Sequence, residues 1–203
     1  LQQVQQRVRR AGALLIADEV LTGFGRCGDW FASKRAGIQP DLMALSKGLT
    51  GGCLPMGVTM ASETIFEGFL GGEPQDTFWH GHSFTANPLG CAAANASLDL
   101  LEASPESFLG FEQRHHPHLE DLASHPRVQR PRLLGTVAAF DLNVEGCSGY
   151  LNPAGPTVKR LAMEQGVFLR PLGQVVYLMP PLCITEEQLN QCYAVLRNAL
   201  DQL

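Results

Sequence analysis

Five consecutive apolar residues, Ala13-Leu14-Leu15-Ile16-Ala17, run straight into two carboxylates, Asp18-Glu19. No other stretch constrains the fold as much. An unbroken apolar run is the pattern of a central parallel strand covered on both faces. Carboxylates just past the carboxyl end of such a strand stand where open α/β sheets place their sites. Asp18 alone could merely turn the chain, and Glu19 reads as a support for the site through hydrogen bonds, not as a reacting group. The Gly-rich segment Thr22–Gly28 reads as an ordered loop at the site. Its GxG lacks the later glycine spacing of a dinucleotide fingerprint.

A second apolar run, Leu42-Met43-Ala44-Leu45, reads as a buried strand and leads into Ser46-Lys47-Gly48-Leu49-Thr50-Gly51-Gly52, a turn with Lys47 at its start. Burying an ammonium costs several kcal/mol unless it is paired or loses its proton. A lysine that loses its proton is an amine nucleophile suited to a Schiff base with a carbonyl compound. The plain alternative is a surface lysine beginning a loop.

The chain has 203 residues, 45% of them hydrophobic and 17% charged, enough for one good core or one core plus a small second domain. At a net charge of -5, with no basic block, it is not built to track a phosphate backbone. Its apolar runs are short and broken, so no membrane span is expected. Leu1 to Arg10 is polar and basic, unlike a signal peptide. The lack of an initiating Met, and a start in what reads as mid-helix, suggest a fragment. Cysteines at 27, 53, 91, 147, 183 and 192 form no CxxC pair. They read as small buried thiols of a reducing, cytoplasmic compartment. His115-His116-Pro117-His118 could hold a metal, but Pro117 breaks the spacing of a two-histidine site, so a polar surface turn is expected and no metal.

Helix is expected over 1–11, with Leu1, Val4 and Val8 on one face, over 30–36, from Ser62, and over 88–103. Strands are expected at 42–46 and 57–61. Composition shifts after Ser104-Pro105. A polar connecting helix over 105–123, a strand over 133–142, a loop over 146–156 and a helix over 157–165 follow. Paired strands near 167–170 and 174–179 precede a last helix from Thr185, capped by Thr185-Glu186-Glu187-Gln188. This order predicts an α/β portion over 1–104 and a small α+β domain over 105–203.

Asp18 ends one strand, Lys47 ends another, and the His80-Gly81-His82-Ser83 turn opens a helix, where Ser83 could also be an ordinary N-cap. Pyridoxal phosphate wants these groups: a carboxylate at its ring nitrogen, a lysine for its aldehyde, and N–H and hydroxyl donors for its phosphate. Leu15-Ile16-Ala17-Asp18-Glu19-Val20, Gly23-Phe24-Gly25-Arg26-Cys27-Gly28 and Ser46-Lys47-Gly48-Leu49-Thr50-Gly51-Gly52 resemble the class III, fold type I aminotransferases. Within them, Trp79-His80-Gly81-His82-Ser83-Phe84, Asn87-Pro88-Leu89, Gly166–Pro171 and Tyr177–Pro181 resemble the biotin-synthesis branch.

The resemblance implies a mostly parallel-sheet large domain, in part, plus a small carboxyl-terminal domain. It implies a homodimer with shared active sites, with pyridoxal 5'-phosphate as cofactor. Asp18 matches the partner of the ring nitrogen, and Lys47 matches the Schiff-base lysine and later proton carrier. Val20 matches a residue on the ring face, and His82 and Ser83 match the pair that holds phosphate across the dimer interface. Gly81 matches a backbone contact to substrate, Arg170 the arginine for the substrate carboxylate, and Tyr177 a residue lining that site. The implied reaction converts 8-amino-7-oxononanoate to 7,8-diaminononanoate, with S-adenosylmethionine as amino donor. Members using that donor often carry Pro-Thr where this chain has His82-Ser83, and members using lysine can carry His-Ser. The amino-terminal half of the family is absent, so these residues alone are expected to bind cofactor poorly and to be inactive.

Another class III ω-aminotransferase is the near alternative. A non-catalytic fragment is the alternative of a different kind. The Walker B look of Leu14–Glu19 lacks the GxxxxGK[ST] loop an ATPase needs.

Overall fold

The structure is a computed structural model that describes residues 1–145 and 149–203. It divides into two compact units, Leu1–Pro105 and Glu106–Leu203. Cys147, expected as a buried thiol, and the start of the expected 146–156 loop lie outside the described residues.

The first unit opens with helix α1 (Gln2–Arg10), then strand β1 (Ile16–Asp18), helix α2 (Ala32–Arg35) and strand β2 (Leu42–Leu45). A 3₁₀ turn (Lys47–Thr50), strand β3 (Val58–Ala61), and helices α3 (Glu63–Glu67) and α4 (Pro88–Ala103) complete it. The sheet order is β1-β2-β3. β1 and β2 are parallel, with Asp18 opposite Ala44, and β3 returns antiparallel to β2.

Two expectations about burial are corrected here. β1 is an edge of this sheet, not a covered centre, and Leu14 and Ile16 are 57% and 64% exposed. Leu1, just before α1, and Val4 within it are exposed, whereas Gln5 is buried. Gln2 anchors the helix instead, by donating to the Ala36 carbonyl (3.0 Å). Helix α4 is capped by Asn87: its side chain accepts from the N–H groups of Leu89 and Gly90 (3.0 and 3.4 Å), and Pro88 stands where no donor is needed.

The second unit contains helix α5 (Phe111–Ala123), strands β4 (Val128–Leu134) and β5 (Val137–Leu142), helix α6 (Ala154–Glu164), strand β6 (Val175–Leu178) and helix α7 (Glu186–Asp201). The strands form an antiparallel sheet in the order β4-β5-β6. Its core joins Phe140, Leu142, Val158, Leu161, Val176, Leu189 and Leu196.

The single strand expected over 133–142 is two strands of a hairpin. Gly135, in the left-handed region (φ 57), turns the chain, and Leu134 pairs with Val137. Residues 167–170 form no strand, because β6 takes β5 as its partner instead. α5 is not a polar connector: Phe111, His115, Leu119 and Leu122 are buried. Pro117 lies inside that helix, so the histidine cluster is not a surface turn. His115, fully buried, lies 2.7 Å from the Tyr193 hydroxyl and 3.1 Å from the Thr136 carbonyl, and His118 stacks on the Tyr193 ring. Thr185 and Gln188 exchange the two hydrogen bonds of a capping box at the start of α7.

Five of the cysteines are free thiols. Cys27 is buried, but Cys53 and Cys183 are exposed, contrary to the expectation of uniformly buried thiols. Among the described residues no helix is long and apolar enough to cross a membrane.

Candidate active site

Asp18 and Lys47 stand at the same end of two hydrogen-bonded parallel strands. Asp18 is the last residue of β1, opposite Ala44, and Lys47 follows β2 by two residues. Neighbouring strands lie about 4.8 Å apart. The pairing extends one step past β1, where the Glu19 N–H donates to the Ala44 carbonyl (2.9 Å). Asp18 is exposed, and its carboxylate accepts from the Val20 N–H (3.0 Å), which fixes its orientation. Val20 is half-buried.

Lys47 is exposed, which corrects the expectation of a buried ammonium; the buried positions of its turn are Leu49 and Thr50. Its backbone is left-handed (φ 43), a conformation that costs a residue with a Cβ and persists only where the surroundings impose it. The surroundings are on hand. Ser46 donates to the Met56 carbonyl (2.7 Å), Thr50 to the Leu54 carbonyl (2.6 Å) and Ser97 of α4 to the Gly48 carbonyl (3.1 Å).

Glu19 is 2% exposed and supports the site as its place in the sequence suggests. Its carboxylate accepts from the Thr22 hydroxyl and from the N–H groups of Ala32 (3.1 Å) and Ser33 (2.6 Å) at the start of α2. Burial opposes its charge, but these hydrogen bonds outweigh burial and hold the carboxyl below the usual glutamate range.

The remaining predicted residues stand elsewhere. Gly81, His82 and Ser83 are exposed in the segment before α4. His82 Nδ1 accepts from the Phe84 N–H (3.2 Å), and the His82 N–H donates to Thr85 Oγ1 (3.1 Å). Ser83 does not cap α4, because Asn87 does. Phe78, His80, His82 and Phe84 form a chain of ring contacts spaced 5.5 to 6.5 Å. Arg170 and Tyr177 belong to the second unit: Arg170 is exposed between α6 and β6, and Tyr177 is half-buried on β6 opposite Ala139. A concavity of about 810 Å³ in the first unit lies instead around Pro40-Asp41 at the amino end of β2. Among the described residues no cluster of ligands could hold a metal ion.

Sequence reasoning missed the contact between Phe24 and Gly48 and the clamp from Ser97. Neither carries a local signal, because each joins segments far apart in the chain. The Asn87 cap was missed as well, although Asn-Pro at a helix start is a local signal for it.

The chain is 57% identical to "Adenosylmethionine-8-amino-7-oxononanoate aminotransferase" of Synechococcus elongatus, covering 100% of this chain and 48% of that protein. It is 41% identical to the protein of the same name from Geobacter sulfurreducens, over 94% of this chain and 44% of that one. The crystal structure of the like-named protein of Methanocaldococcus jannaschii superposes with a TM-score of 0.89 at 32% identity, over 98% of this chain and 48% of that one. The chain thus spans about half the length of the curated relatives it matches. The model of the family described as aminotransferase class-III matches residues 1–200, and on that match the chain belongs to the class III aminotransferases.

Proposed function

We propose that this chain carries the reactive lysine of an enzyme that aminates 8-amino-7-oxononanoate to 7,8-diaminononanoate in biotin synthesis. The observation that carries this reading is that Asp18 and Lys47 stand at the same, carboxyl end of two paired parallel strands. The names of the relatives at 57% and 41% identity support the substrate. Residues 1–104 then belong to the large cofactor-binding domain and 105–203 to the small carboxyl-terminal domain.

Class III aminotransferases depend on pyridoxal phosphate. The donor set fits that group: an amine for an aldehyde, and an oriented carboxylate for a ring nitrogen. When bound, the cofactor supplies an aldehyde that captures amines and a ring that accepts the electron pair of a deprotonated carbon. Lys47 Nζ would hold the aldehyde carbon. The same Nζ, as a free amine, would be the base that carries a proton to and from the reacting carbon. Asp18, whose carboxylate is oriented by the Val20 N–H, would face the ring nitrogen and favour its protonated form, and the Val20 side chain would pack on the ring. In a cytoplasmic homodimer, His82 and Ser83 would hold the phosphate of the facing subunit, with the Gly81 backbone against substrate. Arg170 takes the substrate carboxylate in a two-point guanidinium pairing, and Tyr177 lines its chain.

S-adenosylmethionine is the donor in this reading. His82-Ser83 favours lysine as the second reading. An amino-transfer assay of the intact enzyme with 8-amino-7-oxononanoate decides between them by the donor consumed. Turnover of other ω-amino compounds, with none of 8-amino-7-oxononanoate, would refute the substrate.

A further inference from the structure

The Thr22–Gly28 loop has no part in the chemistry just described, yet it is anchored at every step. The Gly23 N–H donates to the Glu19 carbonyl (3.0 Å), and a Cβ on Gly23 would stand 2.9 Å from that same oxygen. Phe24 is 6% exposed, with left-handed backbone (φ 58). Its N–H donates to the Trp30 carbonyl (2.7 Å), and its ring meets Phe31 edge-on at 5.6 Å. The loop meets the Lys47 turn at one point. A Cβ on Gly48 would lie 2.9 Å from the Phe24 Cβ and 3.1 Å from its ring. Real Cβ atoms do not approach so closely, so only glycine lets the turn lie on Phe24. The two non-glycine residues with left-handed backbone in this region, Phe24 and Lys47, are therefore joined through one tight contact.

We propose that Phe24 is a positioning residue for Lys47: packed against Gly48, it imposes the left-handed turn that presents the lysine beside Asp18. Glu19 seats Phe24, and Ser97 holds the Gly48 carbonyl. The conformation needs such enforcement, since a side chain with a Cβ leaves the left-handed region when it is free to. This inference rests on the proposed role of Lys47 as the residue that holds the cofactor.

Gly48 has no left-handed φ of its own, so alanine there is opposed by Phe24 and not by its own backbone. That permits a clean cycle of Gly48→Ala, Phe24→Ala and the double variant in the whole chain. Two readouts are taken on each folded variant. The first is the ratio of pyridoxal phosphate fixed by borohydride on Lys47 to that on Lys34 and Lys159, by peptide mass mapping. The second, made without cofactor, is hydrogen exchange of the Gly51 and Gly52 amides, which donate to the Gly48 and Lys47 carbonyls (3.0 and 3.1 Å).

Gly48→Ala is expected to lower the Lys47 ratio about tenfold and to speed both amides, as overpacking of a tight contact does. The double variant is expected to match Phe24→Ala, since the obstruction is gone. A contact that only adds stability would shift the melting temperature and leave the Lys47 ratio alone. Additive effects, or an unchanged ratio in Gly48→Ala, overturn the inference. If the unaltered chain shows no preference for Lys47, the role of Lys47 falls, and with it the positioning of a cofactor lysine. Coupled amide exchange would then show only that Phe24 shapes the turn.

Discussion

Removing the Glu19 carboxylate should cost the first unit more than any other single polar change there. Glu19→Ala takes the acceptor from the Thr22 hydroxyl and from the Ala32 and Ser33 N–H groups, and Ser33 is buried. Hydrogen bonds to a charged group contribute ~1.5–3 kcal/mol each, and the sum is reduced by water entering the space, so a net loss of about 3–5 kcal/mol is expected. Glu19→Gln keeps one acceptor and turns a donor on the others, for a loss of about 2 kcal/mol.

The effect depends on pH with a defined sign. The folded carboxyl titrates below its ordinary value, so the stabilisation is complete above the unfolded glutamate pKa of about 4.3 and is lost as pH falls through the lower folded value. Both tryptophans, Trp30 and Trp79, lie in the first unit, so a Trp79→Phe background leaves Trp30 fluorescence to report its urea unfolding. The stability gap between that background and the same chain carrying Glu19→Gln should be constant from neutrality to about pH 5 and shrink below pH 4. A gap below about 0.5 kcal/mol at pH 7, or one that does not shrink in acid, would refute the assignment of Glu19 as the loop's anchor.

Asp18→Asn keeps an oxygen for the Val20 N–H but loses the charge, so the fold should persist while amino transfer falls at least about a hundredfold, near 2.7 kcal/mol; steady-state kinetics of the enzyme checks this. Burial foremost holds His115 below the usual histidine range, so the second unit should lose stability as pH falls from about 6.5 toward that lower value. Amide exchange in α7 at pH 7 and pH 5 measures it, and His115→Asn should flatten the slope. Thr185→Ala removes the acceptor for the Gln188 N–H and should cost about 1 kcal/mol, seen as faster exchange in the first turn of α7.

Where a feature is local, the chain spelled it out. Thr185–Gln188 wrote its capping box, the helix over 88–103 was read within its bounds, and the two apolar runs before Asp18 and Lys47 gave their place at one sheet end. Burial was not legible in the same way, because it depends on what else packs there. Leu14 and Ile16 look like core residues by type, yet β1 is an edge in this sheet. Lys47 looks buried by its place after an apolar strand, yet a left-handed backbone and the inward Leu49 and Thr50 leave it exposed. The hairpin at Gly135 was hidden because apolar residues continue on both sides of the turn, which mimics one long strand. Pro117 misled for a related reason: packing of Phe111, His115 and Leu122 overrides a proline inside a helix.

Borohydride reduction in the presence of pyridoxal phosphate, followed by peptide mapping, tests the central claim most directly. The chain's lysines are Lys34, Lys47 and Lys159, so the outcome is easily read. The account predicts the reduced cofactor on Lys47, with loss of that product in Lys47→Ala and no compensating gain at the other two. Equal labelling of the three lysines, or preferential labelling of Lys34 or Lys159, would contradict it.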